Sequence, residues 1–142
     1  MVQRPPGDEN LPNVWGLPAG SLKESEDWED AVRRAGKEKL GVRLEPQSLI
    51  AEGTLERSSY TLHMKLFSVL IAPEENPRVP QPYPGVTQYT GLKWATRNEV
   101  IETLKQTAEK GSLCCMLYLA SQKIIGEEFM RERGATLINP LE

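Results

Sequence analysis

Histidine and cysteine are scarce in this chain: one histidine, His63, and two cysteines, Cys114 and Cys115, in 142 residues. A single histidine excludes a multi-histidine metal centre and argues against a histidine-dependent triad. The two cysteines are neighbours and form no CxxC, so the sequence predicts reduced thiols, a cytoplasmic setting and no zinc site. Long apolar runs are missing as well. The longest clean one, 113–120, falls well short of the roughly 18 residues of a membrane span. The opening Met-Val-Gln-Arg-Pro-Pro has no signal-peptide core. Finally, there is no excess of basic residues: 17 Lys plus Arg against 20 Asp plus Glu give a net charge of −3. The broad positive field of non-specific nucleic-acid binding is therefore absent, and neither nucleic acid nor membrane is expected as a partner. An anionic substrate would need a metal or local cations to hold it.

What is present suits one domain over residues 1–142, with 39% apolar residues to build its core. Residues 1–20 carry four prolines and three glycines, which predicts a loop. A helix is expected from near Ser25, with Glu26 and Asp27 in its first turn. Trp28, Ala31, Val32 and Ala35 form its apolar stripe, and Asp30, Arg34 and Glu38 lie four apart on a polar face. Gly36 is out of place in mid-helix, where glycine costs about 1 kcal/mol against alanine; it signals a close approach of another segment or a weakened helix end. Gly41 suits the position just past the helix. Strands are expected at 48–54 and 60–72, joined by a turn at 56–59. The second turns apolar on both faces, as a central, doubly covered strand does. Residues 73–84 hold five prolines and must form an extended loop. Residues 86–94 read as a strand. Thr96 and Glu99 form a capping box for a helix reaching Gly111, and Ser112 caps the next. A helical C-terminal segment spans 112–134, and the tail from Ala135 is expected to fray. Helices and strands in this order predict an α/β or α+β fold with a sheet between helical layers.

Chemistry concentrates in residues 15–42. Gly20, Glu26, Arg34, Glu38, Gly41 and Val42 are spaced as in the Nudix box, and Trp15-Gly16-Leu17-Pro18-Ala19-Gly20 is similar to that family's lead-in. The segment thus resembles the Nudix hydrolase family. The resemblance implies an α/β/α sandwich around a mixed central sheet. It leaves open whether the first strand is present: Val2-Gln3-Arg4 looks like the end of that strand, and a dozen or so family residues before it have no counterpart here. A second copy filling such a gap, and hence a homodimer, is one expectation.

The implied activity is cleavage of a diphosphate linkage in a nucleoside diphosphate derivative, with Mg²⁺ or Mn²⁺ as cofactor. Hard oxygen ligands one helical turn apart suit such a cation, which acts as a Lewis acid and activates a water. Glu38 would be the ligand and catalytic carboxylate, Arg34 its orienting partner, and the Gly20 carbonyl a further ligand. Gly20, Glu26 and Gly41 would shape the motif. Two positions depart from the family pattern: its Arg-Glu is Arg34-Ala35 and its Glu-Glu is Glu38-Lys39. Lys39 puts a cation where a ligand belongs, so weakened metal affinity is expected. The alternative reading is a Nudix-like nucleotide-binding or regulatory domain with little turnover.

Other residues carry plainer readings. His63 is a surface or packed histidine, and Cys114 and Cys115 are core. Tyr83 and Tyr89 anchor a loop rather than stack on a base. Glu26 serves the helix start rather than a metal, and Glu24 is not expected as a ligand. Glu74 and Glu75 are candidates for a late-loop base or ligand. Arg131 and Arg133 are solvated helix charges. The residues that choose the substrate are expected in the proline-rich loop and the turn near Ser58.

Overall fold

A computed structural model of the chain describes residues 1–79 and 88–138. In chain order it has strands β1 (Val2–Gln3) and β2 (Trp15–Gly16), helix α1 (Trp28–Ala35), a π-helical turn (Gly36–Leu40), and the long strands β3 (Leu44–Glu56) and β4 (Thr61–Ile71). The short strand β5 (Gly91–Leu92), helices α2 (Arg97–Glu109), α3 (Leu113–Ser121) and α4 (Glu127–Arg131), and strand β6 (Ala135–Ile138) follow. The strands form two three-stranded sheets, ordered β2-β1-β5 and β4-β3-β6. The registers of β1 with β2, β1 with β5 and β3 with β6 are all antiparallel. This is the mixed α/β class expected, with its strands shared between two small sheets.

The chain divides into two compact units, Met1–Ser48 with Ser68–Ala95 and Leu49–Phe67 with Thr96–Glu142. The hairpin strands β3 and β4 contribute residues to both. In the first unit, α1 starts where Asp27 accepts a hydrogen bond from the Asp30 amide at 2.7 Å. Glu26 and Asp27 therefore precede the helix instead of filling its first turn; Ser25, at φ +66°, holds the chain out of helical geometry. Val2, Leu40, Val42, Leu44 and Tyr89 form the core, with Val32, Val69, Ile71 and Leu92 against it. Gly36 is buried where the α-helix widens into the π turn. A Cβ there would lie 2.8 Å from Leu44 Cδ1 and 3.0 Å from the Val42 carbonyl oxygen. The out-of-place glycine thus marks a close approach, one of the two explanations expected. Gly41, at φ +67°, ends the turn, and the Arg78 amide donates to the Leu40 carbonyl at 2.9 Å.

β1 is the middle strand of its sheet, flanked by β2 and β5. Of the strand expected at 86–94, Gly91–Leu92 is regular, while 86–87 lie outside the described residues. The same holds for 80–84 of the proline-rich loop, Tyr83 included.

In the second unit, Thr96 caps α2 by accepting from the Glu99 amide at 3.2 Å. Ser112 caps α3 in the same way through Cys115. Leu104, Ala108, Cys115, Met116, Leu117 and Leu119 are fully buried. Two expectations are corrected here. Residues 135–138 do not fray: they form β6, pairing antiparallel with β3 from Glu52↔Ile138 to Leu55↔Ala135. The central strand is β3, not β4; among the described residues β4 pairs with β3 alone, and Leu70 near its end is 60% exposed.

Candidate functional site

The loop before α1 and the polar face of the helix are tied together by one arginine. Arg34 grips Glu26 with two parallel hydrogen bonds, from Nε at 2.9 Å and Nη2 at 3.0 Å, and reaches Glu38 from Nη1 at 3.2 Å. Nη2 also donates to the Ser21 carbonyl. The two-pronged geometry is what makes guanidinium–carboxylate pairs strong. All three side chains are largely shielded, at 20%, 16% and 11% exposure for Arg34, Glu26 and Glu38. Glu26 lies eight residues from Arg34 in sequence, so their pairing locks the loop to the helix. Gly20 closes the same junction. A Cβ on it would stand 2.9 Å from the Ala35 methyl.

Hydrogen bonding from Arg34, with help from the Lys23 amide, holds the Glu26 carboxyl down at about 2 from an ordinary 4.5. A depressed carboxylate stabilises the fold above its unfolded value, and that contribution disappears as pH falls toward the folded one. Thermal melting of Glu26→Gln and the parent should therefore differ at neutral pH and converge between pH 4.5 and about 2. Parallel profiles across that window would show that Glu26 does not carry the coupling.

Lys39 lies beside this clamp. Its ammonium donates to the Ala19 carbonyl and stands 5.3 Å from the centre of the Tyr89 ring. The Tyr89 hydroxyl donates to the same carbonyl at 3.2 Å and accepts from the Ala19 amide at 2.9 Å. Two donors thus converge on one carbonyl oxygen, filling both its lone pairs. Burial, then the like charges of Arg4 and Arg34, lower the Lys39 pKa, against the opposing pull of Glu38 and Asp8. Arg4 in turn pairs with Asp8 at 3.2 Å. Both line an open hollow of about 580 Å³ with Pro5, Gly7, Glu9, Asn10 and Gln88.

The remaining candidates are spread out. Glu75 accepts from the Arg43 amide at 2.9 Å, while Glu74 and Glu24 are exposed. Tyr89 is a buried loop anchor, as expected. His63 Nε2 pairs with Glu52 at 2.6 Å on the hairpin. Both cysteines are buried in α3. Arg131 is exposed. Arg133 is not simply solvated: its guanidinium stacks on the Phe129 ring at 3.6 Å and donates to the Phe129 carbonyl at 3.0 Å. Sequence reasoning missed Arg4, Asp8 and Ala19 as members of the polar cluster. Ala19 takes part through its backbone alone, so no side chain signals it.

A model of the NUDIX domain matches residues 1–114. The chain belongs to the Nudix family. A crystal structure of the MutT protein from Methanosarcina mazei Go1 is similar at 18% identity and a TM-score of 0.43. That match covers 50% of this chain and 56% of the other, so the chain spans little more than half of that relative. No curated protein matches the sequence. Nudix proteins are in general hydrolases acting on small nucleotide substrates, with a divalent metal. No helix among the described residues is long and apolar enough to cross a membrane.

The Nudix segment of this chain does not fit the divalent metal the family implies. Among the described residues no three carboxylates, histidines or cysteines gather. Glu38 spends its Oε2 on Arg34, Ala35 offers a methyl, and the third position supplies an ammonium already seated on a carbonyl.

Proposed function

We propose that this Nudix domain binds the diphosphate of a nucleoside diphosphate derivative and turns it over slowly or not at all. The reading rests on one observation: of the three positions where the family pattern has glutamates, only Glu38 keeps one and Arg34 engages it, while Ala35 offers a methyl and Lys39 an ammonium bonded to the Ala19 carbonyl. Family membership supports the diphosphate ligand. The Glu26–Arg34–Glu38 clamp keeps the loop and helix in place without a full set of carboxylate ligands. Family membership supports the second reading, a Mg²⁺-dependent hydrolase in which Glu38 is the surviving ligand and Arg34 orients it. The Gly20 carbonyl belongs to that reading too.

Calorimetric titration with nucleotide sugars, dinucleotides and nucleoside triphosphates separates the two. Saturable binding that persists in EDTA, with no product released in Mg²⁺ or Mn²⁺, is the expected result. Metal-dependent release abolished by Glu38→Gln would establish the hydrolase instead.

A further inference from the structure

We propose that Lys39 is a tethered cation that takes the place of the divalent metal, so that the Nudix helix of this chain neither needs nor accepts one. The inference holds whether or not a nucleotide binds. The ammonium occupies a cradle of the kind a cation seeks. It bonds the Ala19 carbonyl oxygen, faces the Tyr89 ring, and is drawn by the negative charges of Glu38 and Asp8. Tyr89 fixes the loop in position for this contact by bonding both the amide and the carbonyl of Ala19. Arg34 holds Glu38 from the other side. The carbonyl and the carboxylate that hard cations favour are therefore both engaged by cations of the chain itself. A divalent ion entering here would have to displace the ammonium from the carbonyl and meet the charge of Arg34 at close range. A side chain, unlike a free ion, is present at full occupancy whatever the ion concentration, because it carries no association cost.

Mn²⁺ titration of the full chain without nucleotide, read from the paramagnetic resonance of the free ion, tests this. The parent should show no saturable site that depends on Glu38. Lys39→Glu combined with Ala35→Glu, checked for folding by circular dichroism, should tighten Mn²⁺ binding by at least about tenfold, since repulsion becomes attraction at a few ångströms. Adding Glu38→Gln should remove the gain. Lys39→Gln alone, the milder variant, should produce part of it if the double variant does not fold. Saturable Mn²⁺ binding by the parent that Glu38→Gln abolishes would overturn the proposal. So would a folded Lys39→Gln or double variant that binds no more tightly than the parent.

Discussion

Leu117→Ala should lower the unfolding free energy by about 2–5 kcal/mol, the range for a buried leucine whose surroundings relax only partly. Leu117 has no exposed surface and lies over Gly53 of β3. A Cβ at Gly53 would stand 2.8 Å from Leu117 Cδ2 and 2.8 Å from the Thr136 carbonyl oxygen of β6. Gly53→Ala alone should therefore cost about 1–3 kcal/mol by overpacking. The two substitutions share a contact, so their effects should not add. Removing Leu117 relieves the side-chain clash, but the clash with the Thr136 backbone remains. Urea unfolding of both single variants and the double variant measures the coupling. Strict additivity would show that Leu117 does not press on Gly53, and a loss below about 1 kcal/mol for Leu117→Ala would show that α3 closes over the gap.

Gly36→Ala should also destabilise, against the direction that helix propensity gives. Alanine is favoured over glycine in a helix interior by about 1 kcal/mol. The added methyl, however, would enter the space of Leu44 and press on the Val42 carbonyl. Overpacking of about 1–3 kcal/mol offsets or outweighs the propensity gain of about 1 kcal/mol and leaves a net loss of up to about 2 kcal/mol. Gly7→Ala is the control, since nothing lies within 4 Å of a Cβ there; it should be neutral to within about 0.5 kcal/mol. Comparing denaturant midpoints decides the matter: a more stable Gly36→Ala would mean that Leu44 moves aside without cost.

Local rules made much of the fold legible from the sequence. Thr96 with Glu99 and Ser112 announced two helix starts, because caps are decided by the residues within one turn of them. Gly36 and Gly41 were readable for a similar reason: each is a poor choice unless the backbone demands it. β6 was missed because four residues after Gly134 carry too little pattern to identify a strand. Its existence depends on β3, some 80 positions earlier in the chain, and long-range pairing leaves no local trace. The exchange of β3 and β4 as central strand follows from the same omission, since β6 is what gives β3 its second neighbour. Within the candidate site, the spacing singled out Glu26, Arg34 and Glu38, three side chains that the structure joins by hydrogen bonds. The departures at Ala35 and Lys39 were visible too. What the sequence withheld was the destination of the Lys39 ammonium, because its acceptor is a main-chain oxygen that any residue at position 19 would provide.

The adjacent thiols of Cys114 and Cys115 have a practical consequence. Both are sealed inside α3, at 4% and 0% exposure, so an aromatic disulfide reagent reaches them only when that helix opens. Its colour change in native buffer is then a clock for transient opening, and its rate reports the local opening free energy when reclosing is fast. The wild-type chain thus carries its own probe of α3, with no introduced label, and slower colour development in the presence of a bound molecule would register stabilisation of that helix.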